Sequence, residues 1–444
     1  MLLKICFLEA LAFSYALPTV ADQVQNADGS LELNRFRRLN DTFSTAVKEK
    51  RVPGISAIAL NRDGSVIFKN SWGTTNIADP LAPRINSSTK MGIASMTKAV
   101  TATAALQLIE AGRLDIDDLV EKYLPILQDL HVLDGFTAAG QPIFHPLKSK
   151  PTIRQLMTHT SGFAYDFLNP NLKQWWQWRQ ETGLPRQGST PADIKTPLLF
   201  DSGDGYSYGA STDWLGFVVE EISGQSLDVY FQKNIFEPLG LNNSGIFNPD
   251  VAVHHRLKNG TITADPLLAP PSSKPSPGTV APLGGQFLTS TIDDYSAFLL
   301  TLINGGTHPR TGESILRAST VKKYLFTDQI PSVQSKYQSQ DFEPKGDPIG
   351  TFISYNPAAS NNGTLLAGFQ KGWSAGFMTN NEDVPGRRRK GSGAWAGLGN
   401  LYYWVDPTAG KLGVVFTSLL PFLDIEMLKL FDELEKEVYL SKGH

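Results

Sequence analysis

Three things are scarce in this chain of 444 residues: cysteine, charge of one sign, and long apolar runs. The one cysteine is Cys6. It lies in "MLLKICFLEALAFSYALPTVA", a stretch with an early lysine, an apolar middle and a small-residue end, which resembles a secretory signal peptide over residues 1–21. Glu9 interrupts the apolar middle. If those residues are removed, no cysteine remains, which excludes disulfides, a thiolate metal site and a cysteine nucleophile. Charge is nearly balanced, with 40 Lys and Arg against 43 Asp and Glu. No basic field invites nucleic acid or an anionic membrane surface. The one basic run, Arg387 to Lys390, follows Pro385 and Gly386 and reads as a solvated loop. Beyond the leader, no apolar run approaches the roughly 20 residues of a membrane span. Internal repeats are absent too.

What is present is 41% apolar residues, enough for a sizeable core. Five N-x-S/T sequons begin at Asn40, Asn86, Asn242, Asn259 and Asn362, a modest pointer to the secretory pathway; without a functional leader the chain stays cytoplasmic. Residues 33–50 read as an amphipathic helix. "GISAIALNRDGSVIFKNSWG" reads as a hairpin turning at Asn61 to Gly64. "SMTKAVTATAALQLIEAGRL" reads as a strong helix with Gly112 placed to end it. Further helices follow in "TIRQLMTHTSGF", in 211–241 split at Gly224, and in "STIDDYSAFLLTLINGG". Residues 265–285, dense in Pro and Gly, read as a long loop. "GNLYYWVDPTAGKLGVVFTSLL" is a second hairpin, and a terminal helix follows it. Strands at both ends and helices between them predict an α/β (α+β) fold: one antiparallel sheet built from the two chain ends, flanked by helices. The expected sheet parts are about 35–92 and 345–444, with a helical insert of about 93–344.

Two serines compete for one role. Gly372-Trp373-Ser374-Ala375-Gly376 fits the G-x-S-x-G string of a nucleophile elbow. An elbow serine needs a histidine after it, and only His444, the last residue, qualifies. A terminal residue frays and makes a poor base. Ser374 therefore reads as a turn residue that lets Trp373 pack. Ser95 and Lys98, in "GIASMTKAV", form S-x-x-K instead. At a helix start this puts Lys98 one turn on and on the same face as Ser95. The helix N-terminus favours negative charge on the serine oxygen. A desolvated lysine can accept the serine proton, so no histidine is needed. His159 in "THTSG" reads as structural, and the pair His254-His255 lacks the spacing of a metal site.

Four blocks then occur in order: "GIASMTKAVTATAALQLIEAGRLDIDDLVEKYLP", "PTIRQLMTHTSGF", "FDSGDGYSYGASTDWLG" and "GGQFLTSTIDDYSAFLLTLINGG". Over roughly 35–435 the chain resembles the class C β-lactamase-related serine enzymes. It is most similar to the family VIII carboxylesterases and the lovastatin-type fungal transesterases. The resemblance implies the serine β-lactamase/transpeptidase-like fold over residues 22–444, with Ser95 as nucleophile and Lys98 as its base. It implies a catalytic tyrosine in "YSY". The register before "GASTDWLG" favours Tyr208, with Tyr206 in the preceding aromatic position. It places Trp395-Ala396-Gly397 where β-lactamases carry K-T-G, and gives the oxyanion to the N–H groups of Ser95 and Leu398. Trp395, Gly397, Tyr165, Trp176 and Tyr206 become candidates for substrate contact, and Gly284-Gly285 for close backbone approach. No cofactor and no metal are implied.

Two departures matter. Trp395 replaces the lysine that pairs with a β-lactam carboxylate, and Ala210 replaces an amide-recognising asparagine. Both turn the expectation toward uncharged acyl esters or thioesters. The expected partners are a small-molecule ester or thioester donor, with an acyl-carrier domain as one form of donor, and an alcohol acceptor. The alternatives are a β-lactamase or D,D-peptidase, and a non-catalytic binding module. The retained Ser, Lys and Tyr weigh against the last.

Overall fold

The computed structural model describes residues 29–185, 188–246, 248–264, 282–330 and 348–440, with side chains from residue 35 onward. The leader-like residues 1–21, the Pro-rich 265–281 and His444 lie outside the described residues. Seven strands form the main sheet: β1 (Gly54–Asn61), β2 (Val66–Gly73), β3 (Lys371–Trp373), β4 (Met378–Asn380), β5 (Gly393–Gly397), β6 (Leu401–Asp406) and β7 (Lys411–Phe416). Their order is β3-β4-β5-β6-β7-β1-β2, and each neighbouring pair is antiparallel. The two ends of the chain meet where β1 pairs with β7, Ser56 opposite Phe416. The turn between β6 and β7 closes through Asp406, whose carboxylate accepts the N–H groups of Thr408 at 2.9 Å and Ala409 at 2.8 Å.

Every residue of β6 and β7 is buried, so helices cover both faces. Helix α1 (Gly29–Lys48) packs on β2 and on the terminal helix α7 (Ile425–Leu440), which also meets β7. Helix α6 (Ile292–Ile303) packs on β1, β6 and β7. Helix α2 (Thr97–Glu110) is buried on nearly all sides, as its Ala- and Leu-rich sequence requires of a central helix. It ends at Gly112, whose φ of +67° needs no Cβ, while the Arg113 N–H reaches back to the Leu108 carbonyl at 3.0 Å. Against it lies α5 (Ser211–Ser223), ended by Gly224 in the left-handed conformation.

Several features lie outside the sequence expectation. The middle of the chain carries a hairpin, His131–Phe136 with Pro142–Pro146. It is largely exposed, so its sequence lacks the alternation that marks a half-buried strand. Strands β3 and β4 are three residues each, too short to show a period. The rest of the insert includes α3 (Ile153–Met157) and α4 (Pro170–Glu181), the latter capped by Asn169, whose side chain accepts the Leu172 N–H at 3.0 Å.

Candidate active site

Ser95 sits in a single 3₁₀ turn, Ala94–Met96, that runs straight into α2. Ala94, just before it, holds φ = +44°, a left-handed conformation costly for a residue with a Cβ. The turn is pinned from outside: the Ile93 N–H donates to the Leu288 carbonyl at 2.9 Å, and the Tyr295 hydroxyl donates to the Met96 carbonyl at 3.0 Å. The helix-start spacing expected of S-x-x-K is therefore present, and Ser95 is half-buried at its mouth.

Lys98 is 2% exposed. Its Nζ lies 3.4 Å from Ser95 Oγ, 3.1 Å from Tyr165 Oη and 3.0 Å from the Gly285 carbonyl oxygen. It also stands 4.8 Å from the centre of the Tyr208 ring and 5.3 Å from that of Tyr165. The two phenols meet edge to face, with centroids 5.6 Å apart. The hydroxyl bonded to Lys98 is that of Tyr165, which the sequence places only among substrate-contact candidates. The Tyr208 hydroxyl accepts the Trp395 indole N–H at 3.1 Å, while its ring packs on the amine. No spacing rule marks Tyr165, because it follows the turn at Ser161-Gly162 rather than a helix.

Asp213 and Gly285 complete the constellation. The Asp213 carboxylate, 2% exposed, accepts the Gly285 N–H at 2.8 Å and the Tyr165 hydroxyl at 3.4 Å. A Cβ on Gly285 would fall 2.8 Å from Asp213 Oδ1, 2.9 Å from Lys98 Nζ and 3.1 Å from Tyr165 Oη, so any larger residue would push these three groups apart. Next to it, the Gly284 carbonyl accepts the Thr101 hydroxyl at 2.5 Å. Sequence reasoning did not single out Asp213; its one signal is its place in the D-x-L-G string after Tyr208.

From the sheet side, β5 brings Trp395 and Gly397. A Cβ on Gly397 would meet the Ile93 carbonyl at 2.5 Å, so the end of β5 runs hard against the Ser95 turn and carries half-buried Leu398 just beyond it. Trp395 is buried in β5, 4.5 Å from Trp373 and 4.8 Å from Tyr208 between ring centres. An indole, not an ammonium, thus stands beside Tyr208. Phe352 adds to this wall, 6.0 Å from Tyr208 and 5.9 Å from Trp395.

The other candidates fall elsewhere. Tyr206 is buried beneath the centre, against His159 and Trp373. Trp176, on α4, packs on a satellite cluster of Leu133, Ala164, Leu172 and Trp175, separate from the main core. His159 is buried with φ = +58°, its ring 4.8 Å from Tyr208 and 4.9 Å from Trp373. Burial holds its imidazole well below the usual histidine range. His254 is tied to the backbone, its Nδ1 3.0 Å from the Ser418 carbonyl. Among the described residues no group of three or more His, Cys, Asp or Glu side chains could hold a metal ion, and no helix is long and apolar enough to cross a membrane. A depression of about 390 Å³ at the far end of α2, lined by Ile109, Arg113, Tyr123 and Tyr324 among others, carries no serine.

Comparison with known proteins follows the same lines. The family model described as Beta-lactamase matches residues 39–427. The monacolin J acid methylbutanoyltransferase of Aspergillus terreus is 28% identical over 411 residues, covering 90% of this chain and 95% of that one. The lovastatin esterase of Penicillium rubens is 31% identical over 213 residues, 47% of this chain and 52% of that one. Among solved structures, the unliganded selenomethionyl simvastatin synthase (LovD) of Aspergillus terreus superposes with a TM-score of 0.76 at 26% identity, over 92% of this chain and 99% of that one.

Proposed function

The chain belongs to the beta-lactamase family and is a serine acyl-transfer enzyme of that fold, and from this premise we propose that it moves an acyl group from a small ester or thioester to an alcohol of a polyketide-like molecule. The observation that carries the reading is the buried amine of Lys98 set 3.4 Å from Ser95 Oγ at a helix start. Ser95 Oγ attacks the donor carbonyl and its proton passes to Lys98 Nζ. The oxyanion is held by the N–H groups of Ser95 and Leu398, each such donor typically contributing 10²–10³ in rate. Tyr208, steadied by Trp395, relays the proton to the departing alkoxide or thiolate. The acceptor alcohol then attacks the acyl-enzyme, and its proton returns through the same groups. Distances near 3.4 Å are usual before substrate binds and shorten in the complex. Tyr165 closes the shell around Lys98.

An aromatic wall of Trp395, Phe352 and Tyr208 suits an apolar acyl chain or ring system and, with an indole where β-lactamases carry a lysine, brings no cation to pair with a carboxylate. That argues against β-lactams and cell-wall peptides. The acyltransferase resemblance, which spans nearly the whole chain, favours transfer over hydrolysis; water replaces the alcohol when no acceptor is bound. An acyl-carrier thioester is the donor to try beside free esters. The leader-like sequence makes secretion the localisation to test, by the N-terminal mass of the protein its host releases.

Intact-protein mass after mixing with a short-chain p-nitrophenyl ester tests the reading. A transient acyl adduct in the wild type and in Ser374→Ala, lost in Ser95→Ala, is the expected result. Added alcohols then speed decay of the adduct and appear as esters. An adduct that survives Ser95→Ala overturns the assignment.

A further inference from the structure

Lys98 in its amine form has two N–H groups and one lone pair, and catalysis needs that lone pair on Ser95. The three oxygens around Nζ differ in what they accept or give. The Gly285 carbonyl only accepts, so it takes one N–H at 3.0 Å. The Tyr165 hydroxyl, at 3.1 Å, can do either. If it accepts, the second N–H is used and the lone pair is left for Ser95 Oγ. If it donates to Lys98, the lone pair is consumed, and Lys98 can only donate to Ser95, the wrong direction for removing a proton.

We propose that Asp213 is a positioning residue that makes this choice: its carboxylate draws the hydroxyl hydrogen of Tyr165 toward itself and so aims the Lys98 lone pair at Ser95. The inference rests on the Ser95–Lys98 reading above. An ionised carboxylate accepts and cannot donate. Oδ2 faces the Tyr165 hydroxyl at 3.4 Å, and Oδ1 takes the Gly285 N–H at 2.8 Å. Asp213 therefore holds both of the groups that occupy the Lys98 N–H positions, the phenol directly and the carbonyl through the backbone of its own residue. Gly285 is where the three converge, because its missing Cβ leaves room for carboxylate, amine and phenol together. Asp213 is itself 2% exposed, so its carboxylate draws on protein donors rather than on bulk water. The hydrogen-bond chain runs Ser95 to Lys98 to Tyr165 to Asp213, each donating to the next.

The test reverses the polarity at one atom. In Asp213→Asn the amide oxygen keeps the Gly285 N–H, and the amide NH₂ faces Tyr165 and donates. The phenol then turns its hydrogen to Lys98. The acylation rate, read as the burst of p-nitrophenol, should fall about 10²-fold or more, the range of a lost general base, with KM changed by less than about threefold and the melting temperature near wild type. Removing the hydroxyl should then help: Asp213→Asn/Tyr165→Phe should acylate roughly tenfold faster than Asp213→Asn alone, because nothing occupies the lone pair. A merely structural role predicts the opposite, a double variant as slow as the single or slower, and that result overturns the proposal. So does an Asp213→Asn protein that acylates at the wild-type rate. Should Asp213→Asn fail to fold, Asp213→Glu against Asp213→Gln carries the same contrast, with Glu expected faster. Ser95→Ala and Lys98→Ala run alongside: an adduct that persists in Ser95→Ala refutes the nucleophile assignment itself, whereas its loss there with an unaffected Asp213→Asn refutes only the positioning role.

Discussion

Ser95 and Ser374 both sit in tight turns among small residues, and they could hardly be used more differently. Ser374 Oγ accepts the Phe377 N–H at 2.9 Å and the Gly376 N–H at 3.3 Å, and donates to the Phe377 carbonyl at 3.2 Å. Its capacity is spent closing the β3–β4 hairpin, and it is wholly buried. Its neighbour Trp373 donates its indole N–H to the Met157 carbonyl at 3.2 Å and locks the turn on the helical side. Ser95 lies in a strained entry to a helix, half open, with a buried amine at its oxygen. The string G-x-S-x-G describes where a chain bends. Whether a hydroxyl can react depends on what already holds it.

The contrast breaks most sharply by deleting each hydroxyl in turn. Ser95→Ala should lower turnover by about 10⁴-fold or more and abolish the acyl adduct, read by mass and by steady-state rate. Next in size is Gly397→Ala, whose Cβ would overlap the Ile93 carbonyl and push β5 away from the Ser95 turn. Displacing one oxyanion donor should cost about 10²-fold in kcat with the adduct still detectable. Ser374→Ala should leave the adduct intact and instead lower stability by about 1–3 kcal/mol in urea unfolding, as two buried N–H groups lose their acceptor. A pH series sharpens the electrostatic side. The folded His159 imidazole resists protonation, while the unfolded one titrates near 6.5. The unfolded state therefore binds the extra proton, and stability should fall as pH drops below about 6.5, by up to about 1.4 kcal/mol per unit. His159→Asn, which tolerates the left-handed backbone, should flatten that slope; His254 and its own acid sensitivity remain in both proteins. Smallest is Trp395→Phe, which keeps the wall and removes the N–H to Tyr208. It should cost about 1 kcal/mol, a fewfold loss in kcat.

Much of this was legible in the sequence where chemistry and local structure coincide. S-x-x-K needs only helix geometry, so the Ser95–Lys98 contact follows from spacing. The hairpins turning at Asn61 to Gly64 and Asp406 to Gly410 follow from alternation and turn residues, and the antiparallel sheet from both chain ends follows from their positions. Tyr165, Asp213 and Gly285 were not legible in the same way. Tyr165 and Gly285 reach Lys98, and Asp213 reaches those two, each from a different segment, and their mutual bonds are set by packing rather than by any spacing. The exposed hairpin at 131–146 lacked the alternating burial that marks a strand. Trp176, by contrast, was a plausible wall by composition, and packing placed it in a satellite cluster.

The pairing of β1 with β7 carries a consequence for how the protein is made. Ser56 and Phe416 lie side by side yet are 360 positions apart in synthesis, 416 less 56. At about 5–20 residues per second, the β1–β2 hairpin waits roughly 20–70 s on the ribosome with a bare edge before its partner emerges. During that interval α2 and the Ser95 turn have no β5 to lean on, so the nascent enzyme is inert. Production of active protein should therefore respond to chaperone supply and translation speed.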